Sequence, residues 1–197
     1  RGGMGCDHAL PAGLAPVNRA AHGGDVTCGS VLDTLILGGG NMTMEVRGIG
    51  RKAAMPTAHD VAAYILKNCG TMSAMKLQKL VYYCQAWSLV WDERPMFPEP
   101  IEAWANGPVV FDLYDKHCGQ FEIREWPWGN PDNLDQQAKE TVDAVTAFYG
   151  RRSAQWLSDL THQEDPWQHA REDAELGQSS RAVISLASMA EYYGSLS

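Results

Sequence analysis

The first 54 residues of the chain contain no aromatic residue, although they hold 12 of its 19 glycines. A glycine-rich segment without aromatic side chains cannot bury enough surface to offset the entropy that is lost when it becomes ordered. We therefore expect residues 1–54 to be disordered, or to be an upstream extension that is not native to the protein. Met55 is then the expected start, with Met42 and Met44 as alternatives, and residues 55–197 form the expected domain.

The chain is also poor in basic residues. It has 16 Lys and Arg against 24 Asp and Glu, and residues 55–197 alone hold 11 basic and 20 acidic residues, which is a net charge of −9. Because nucleic-acid phosphates are bound by clustered Lys and Arg, this balance argues against nucleic acid as the partner. It is compatible with a basic protein partner.

Paired cysteines and long apolar runs are absent as well. No two of the five cysteines have the spacing of a zinc site, so we interpret Cys69 and Cys84 as reduced core thiols of a cytoplasmic protein. A membrane-spanning helix needs about 20 consecutive apolar residues. The best run, residues 31–37, is interrupted by Asp33 and Thr34, so no membrane association is expected.

The sequence does contain several helical patterns after residue 54. Thr57 and Asp60 form a capping box before a helix that Gly70 ends. Proline-rich residues 95–100 exclude a helix there, and the alternation around them predicts a small hairpin or ribbon. The predicted fold is a mainly α, compact multi-helix domain with a small β-hairpin. Its other helices are expected at 73–91, 109–117, 134–149, from 153 onward and at 185–193, and its strands at 96–97, 101–104 and 121–124.

Side chains that could perform catalysis are sparse. There is no phosphate-binding glycine loop followed by Lys-Ser/Thr, and no Gly-x-Ser-x-Gly element. His162, Glu164, Asp165 and His169 come closest to a metal or acid–base cluster. Pro166 makes one continuous helix through them doubtful, and the other interpretation is that one helix ends at His162 and Asp165 caps the next. We expect no catalytic residue, metal or cofactor, with a metal-dependent hydrolase that uses His162, Glu164 and His169 as the alternative.

Two groups of residues are candidate contacts for a partner protein. Lys76, Lys79 and Tyr83 are expected on the polar side of the second helix. They are either a charged contact patch, or a solvated face or contacts to the domain's own carboxylates. Trp126 and Trp128 lie in a predicted loop, where tryptophans act equally well as interface anchors or as pins that hold the loop to the core. For Trp104 and Trp167 we favour the role of core pins.

Three separated segments together resemble one family. Residues 76–83 read Lys-Leu-Gln-Lys-Leu-Val-Tyr-Tyr, residues 102–109 read Glu-Ala-Trp-Ala-Asn-Gly-Pro-Val, and residues 161–167 read Thr-His-Gln-Glu-Asp-Pro-Trp. They are similar to three motifs of the Panacea domain, the domain of SocA-like antitoxins. The motif positions that we expect to be structural are Leu77, Gln78, Leu80, Tyr82, Trp104, Gly107, Pro108, Thr161, His162, Pro166 and Trp167.

The resemblance implies an antitoxin from a bacterial or prophage toxin–antitoxin pair. Such a protein neutralises its cognate toxin by direct protein–protein binding in the cytoplasm and needs no cofactor. The alternative within the same family is a proteolytic adaptor, which delivers the toxin to a AAA+ protease. The resemblance does not identify the toxin.

Overall fold

The computed structural model describes residues 55–172 and 180–197, so the predicted N-terminal extension lies outside the described residues. This part of the chain is mainly helical with two small antiparallel sheets, as the sequence predicts. Its helices are α1 (Ala58–Cys69), α2 (Ala74–Trp91), α3 (Phe111–His117), α4 (Gln136–Tyr149), α5 (Ala154–Thr161), α6 (Asp165–Ala170) and α7 (Leu186–Gly194). Its strands are β1 (Met72–Ser73), β2 (Ile101–Trp104), β3 (Gly107–Val110) and β4 (Glu122–Ile123), and Pro131–Asn133 form a 3₁₀ turn.

The start of α1 confirms the predicted capping box. The Thr57 backbone N–H donates to the Asp60 carboxylate at 2.8 Å, and the Asp60 backbone N–H donates to the Thr57 hydroxyl at 3.3 Å. The same carboxylate accepts from the backbone N–H of Asn130 at 2.7 Å and from the side-chain amide of Asn133 at 3.1 Å. One capping residue therefore also holds the loop that precedes α4 against the start of α1.

Helix α2 is the centre of the domain, and from residue 77 to residue 88 it is buried on every side. It packs against α1, α4, α5, α7 and β3, and all residues from 77 to 88 are buried. A helix that is enclosed in this way has no solvated face. The prediction of a polar side is therefore wrong for α2. Its end at Trp91 is as predicted, and it begins one residue later than expected, at Ala74, with Ser73 as its cap.

The hairpin forms between β2 and β3, with Trp104 opposite Gly107. The backbone N–H of Ala103 donates to the Ala182 carbonyl at 2.8 Å, and that of Ile184 donates to the Ile101 carbonyl at 2.8 Å. Residues 182–184 therefore cover the other edge of β2. The predicted third helix begins two residues later than expected, at Phe111, because residues 109 and 110 belong to β3, and residues 96–97 form no strand.

Smaller corrections concern helix ends and one cysteine. Helix α4 begins at Gln136 with Asp135 as its cap, instead of at residue 134. Asp165 was expected to cap the next helix, but it is the first residue of α6, and Glu164 occupies the capping position. Cys84 is buried as predicted, but Cys69 is exposed, because it lies at the solvent-facing end of α1. Among the described residues, no helix is both long and apolar enough to cross a membrane.

Candidate functional site

The side chain of Gln78 closes the outer edge of β3. Its oxygen accepts from the backbone N–H of Val110 at 2.9 Å, and its amide nitrogen donates to the Val110 carbonyl at 3.2 Å. The same nitrogen lies 3.0 Å from Nε2 of His117, which is also buried. The amide thus makes the pair of bonds that a neighbouring strand would make at an unpaired sheet edge. Gln78 joins α2 to both β3 and α3.

Lys79 makes the next contact along the same edge. Its ammonium nitrogen donates to the Pro108 carbonyl at 3.0 Å, and the residue is only 1% exposed. Because burial disfavours the charged form, the pKa of Lys79 is lowered to about 7. The hairpin, which carries the second motif, therefore packs directly against α2, which carries the first.

Gly107 permits this close contact between hairpin and helix. Its φ angle is 96°, and a Cβ atom built on it would lie 2.7 Å from Cε of Lys79 and 2.7 Å from the hydroxyl of Thr161. A side chain at this position would therefore meet both the first and the third motif. This explains in physical terms why the hairpin carries glycine here.

The third motif contacts the other strand of the hairpin, β2, next to the same turn. The indole N–H of Trp167 donates to the Trp104 carbonyl at 3.0 Å, and Arg171 donates to the Ala103 carbonyl at 2.6 Å. The rings of His162 and Trp167 lie against each other, with centroids 4.3 Å apart. The three motifs therefore meet at one place, which we call the motif junction: Gln78, Lys79, Trp104, Gly107, Pro108, Thr161 and Trp167.

A buried polar cluster lies one helical turn further along α2, around Tyr83. Glu164, which is fully buried, accepts hydrogen bonds from the hydroxyls of Tyr193 at 2.7 Å and Tyr83 at 3.2 Å. The Tyr193 oxygen also lies 3.2 Å from the hydroxyl of Tyr82. Burial outweighs the two tyrosine bonds and raises the pKa of Glu164 to about 8. The carboxyl group is therefore largely protonated at neutral pH.

A cleft of about 450 Å³ opens beside the motif junction, between α2, the hairpin turn and α3. Gln78, Lys79 and His117 contribute to its lining, together with the aromatic side chains of Trp104 and Tyr114. None of its twelve lining residues is an Asp or Glu. The cleft therefore lacks acidic side chains, although the chain as a whole has a net charge of −8.

Two of the predicted contact residues do not lie on a surface. Lys79 is 1% exposed and Tyr83 is 0% exposed, so the prediction that they line a polar face of the second helix is wrong. The reason is that the hairpin covers Lys79, and that the ring of Tyr149 stacks on Tyr83 with centroids 4.0 Å apart. Lys76 is half-buried and donates to the Gly150 carbonyl at 2.6 Å.

The two loop tryptophans differ in their environment. Trp126 is 6% exposed, and its indole N–H lies 3.2 Å from Nδ1 of His59, so it has the geometry of a pin that holds the loop to α1. Trp128 lies against Trp126 but is 47% exposed. Trp128 and Lys76 therefore keep surface that a partner could contact, and that role stays a prediction.

The residues of the alternative metal site are not brought together. The Glu164 carboxyl group points into the tyrosine cluster, whereas His169 is exposed and lies 4.0 Å from Glu172. In residues 55–172 and 180–197 no three His, Cys, Asp or Glu side chains are grouped as metal ligands would be.

Sequence reasoning missed the second glutamine of α2. Gln85 accepts from the backbone N–H groups of Met96 at 2.8 Å and Phe97 at 3.2 Å, and donates to the Phe97 carbonyl at 3.0 Å. It follows Gln78 by two helical turns. Two amides seven residues apart in a helix rich in apolar residues were the available signal, because buried amides need hydrogen-bond partners.

These features define a class of protein: a mainly helical domain whose central helix is fixed to a small hairpin by three short sequence motifs. Residues 77–168 match the family model described as "Antitoxin SocA-like, Panacea domain". Residues 77–168 are therefore similar to the Panacea domain, as the three motifs predict. The expected domain bounds of 55–197 stay a prediction, since α1 and α7 lie outside the match. No curated protein and no solved structure matches the chain.

Proposed function

We propose that this protein is the antitoxin of a bacterial or prophage toxin–antitoxin pair, and that it neutralises a protein toxin in the cytoplasm by direct binding, without catalysing a reaction. The observation that carries the proposal is the match of residues 77–168 to the SocA-like antitoxin family.

The state of the reactive side chains supports a binding role. Glu164 is engaged by tyrosine hydroxyls, and burial raises the pKa of the Cys84 thiol, which makes a nucleophilic thiolate less accessible. By contrast, several large apolar side chains are exposed, among them Phe121 at 86%, Trp128 at 47% and Met75 at 36%. Exposed aromatic and methionine side chains are typical anchors of protein interfaces.

The test is co-expression of the full chain with the product of the adjacent open reading frame. If that product is the toxin, we expect it to stop growth when expressed alone, and we expect the full chain to restore growth and to co-purify with it. The half-life of the toxin should be unchanged. Loss of growth rescue, or rescue without a complex, would contradict neutralisation by binding.

The same experiment distinguishes neutralisation by binding from the alternative, which is a proteolytic adaptor. A proteolytic adaptor shortens the half-life of its cargo, and this effect should disappear in a host that lacks the relevant AAA+ protease. A toxin half-life that is shortened only in protease-competent cells would therefore replace neutralisation with delivery to a protease.

A further inference from the structure

The cleft beside the motif junction contains an incompletely bonded amine. A protonated lysine side chain can donate three hydrogen bonds. Within the described part of the chain, the Lys79 nitrogen has one acceptor, the Pro108 carbonyl at 3.0 Å, although the residue is 99% buried. A buried donor without an acceptor is unfavourable, and an incoming acceptor would relieve it. Lys79 lines the cleft, so that acceptor can come from a bound molecule.

The walls of the cleft favour an apolar group beside that acceptor. Trp104 and Tyr114 lie edge to face with ring centroids 4.7 Å apart, and both line the cleft. At its rim, Met75 is 36% exposed. Phe121, which is 86% exposed, follows the lining residue Gln120, and its carbonyl accepts from the backbone N–H of Ala74 at 2.9 Å. The apolar surface thus continues from the cleft onto the outside of the domain.

The charge of the cleft lining also restricts which chemical group the cleft can bind. The lining contains a lysine and a histidine but no carboxylate, in a protein that has an excess of acidic residues elsewhere. A carboxylate would gain a charge-assisted hydrogen bond from Lys79, whereas a basic group would supply the amine with no acceptor beyond the Pro108 carbonyl. The volume of about 450 Å³ is within the range of pockets that hold one or two side chains.

We infer that this cleft is where the domain takes a segment of its partner protein, with a carboxylate of that segment bonded to Lys79 and an adjacent apolar side chain against Trp104 and Tyr114. The inference rests on the proposed function, since the partner is the toxin that the antitoxin neutralises. It also goes beyond it, because it names the surface and the chemistry of the contact.

The first experiment examines the chemistry of the cleft without the partner. The full chain is titrated with 3-phenylpropionate, which joins a carboxylate to an aromatic ring, and with the uncharged 3-phenylpropionamide, while two-dimensional NMR follows the Trp104 indole and the Gln78 amide. We expect the acid to shift both signals and to bind at least tenfold more tightly than the amide. The Lys79→Met variant, which is one atom shorter and lacks the amine, should lose this preference. Equal binding of acid and amide, or shifts confined to other residues, would overturn the inference.

The second experiment measures how tightly the protein binds its partner. Met75→Glu places a carboxylate at an exposed helical position on the rim, and Leu186→Glu is the matched control on α7, where the leucine is 41% exposed. We expect Met75→Glu to weaken binding of the toxin at least tenfold and Leu186→Glu to change it less than twofold. If the wild-type protein binds the toxin and both variants bind it equally well, the inference is wrong and the proposed function stands. If the wild-type protein forms no complex, the proposed function fails and this inference fails with it.

Discussion

Replacing Glu164 by glutamine should change how the stability of the protein depends on pH. The folded protein holds the Glu164 proton with a pKa of about 8, against an ordinary value of 4.5. The folded state therefore binds this proton more tightly than the unfolded chain does. The stabilising effect of the bound proton is complete below pH 4.5 and is fully lost once the pH has risen through about 8.

The magnitude follows from the gap between these two pKa values. At roughly 1.4 kcal/mol for each pH unit, the free energy of unfolding falls by at most about 5 kcal/mol between pH 4.5 and about pH 8, because there only the unfolded chain has released this proton. An amide has nearly the same shape and cannot ionise, so Glu164→Gln should not suffer this loss. Its oxygen can still accept from the hydroxyls of Tyr193 and Tyr83.

Lys79 produces the opposite trend at higher pH. Its pKa is lowered from 10.5 to about 7, so the folded state binds this proton less tightly than the unfolded chain. Stability should therefore rise between about pH 7 and pH 10.5 in the wild-type protein and in the variant alike. The difference in stability between wild type and Glu164→Gln isolates the glutamate, because the contribution of Lys79 is common to both.

The assay is urea unfolding of the full chain at several pH values between 5 and 9. Relative to the wild-type protein, Glu164→Gln should gain several kcal/mol between about pH 5 and pH 8.5. The control is Glu140→Gln on the exposed side of α4, which should shift stability by the same small amount at every pH. A stability difference between wild type and Glu164→Gln that does not change with pH would refute the reasoning.

Two further substitutions test the motif junction and the central helix by urea unfolding at one pH. Gly107→Ala should lower the free energy of unfolding by roughly 2–4 kcal/mol, because the added Cβ meets Lys79 at 2.7 Å as well as straining the backbone. Gly70→Ala is its control, since Gly70 has a φ of 73° but open space around it, and it should lose only about 1–2 kcal/mol; equal losses would contradict the packing argument. Gln85→Leu should lose roughly 2–4 kcal/mol, because the buried backbone groups of Met96 and Phe97 are left without partners, and an unchanged stability would show that these groups find other partners.

The motif junction explains why three separated motifs occur together in one chain. Gln78 and Lys79 bond to backbone atoms of β3, Gly107 leaves room for Lys79 and Thr161, and Trp167 bonds to the end of β2. Each motif therefore supplies either a hydrogen-bond partner for another motif or the space that another motif needs. Loss of one motif would therefore leave a buried polar atom or a steric clash in the other two.

The local sequence determined where most helices begin and end. Ser73, Ser153 and Ser185 each accept a hydrogen bond from a backbone N–H in the first turn of the helix that follows. Gly70 ends α1 in a left-handed conformation. These signals involve residues within four positions of one another, so they can be recognised without knowledge of the rest of the fold.

Tertiary structure alone decided which polar side chains of α2 are buried. Lys79 and Tyr83 have the composition of a solvated face, yet the hairpin and the tyrosine cluster enclose them, through partners 29 and 81 positions away in the sequence. The pKa of Glu164 and the cleft beside the junction have the same origin. Helical periodicity specifies which residues share a face, but only the packing of distant segments determines whether that face meets water or another part of the chain.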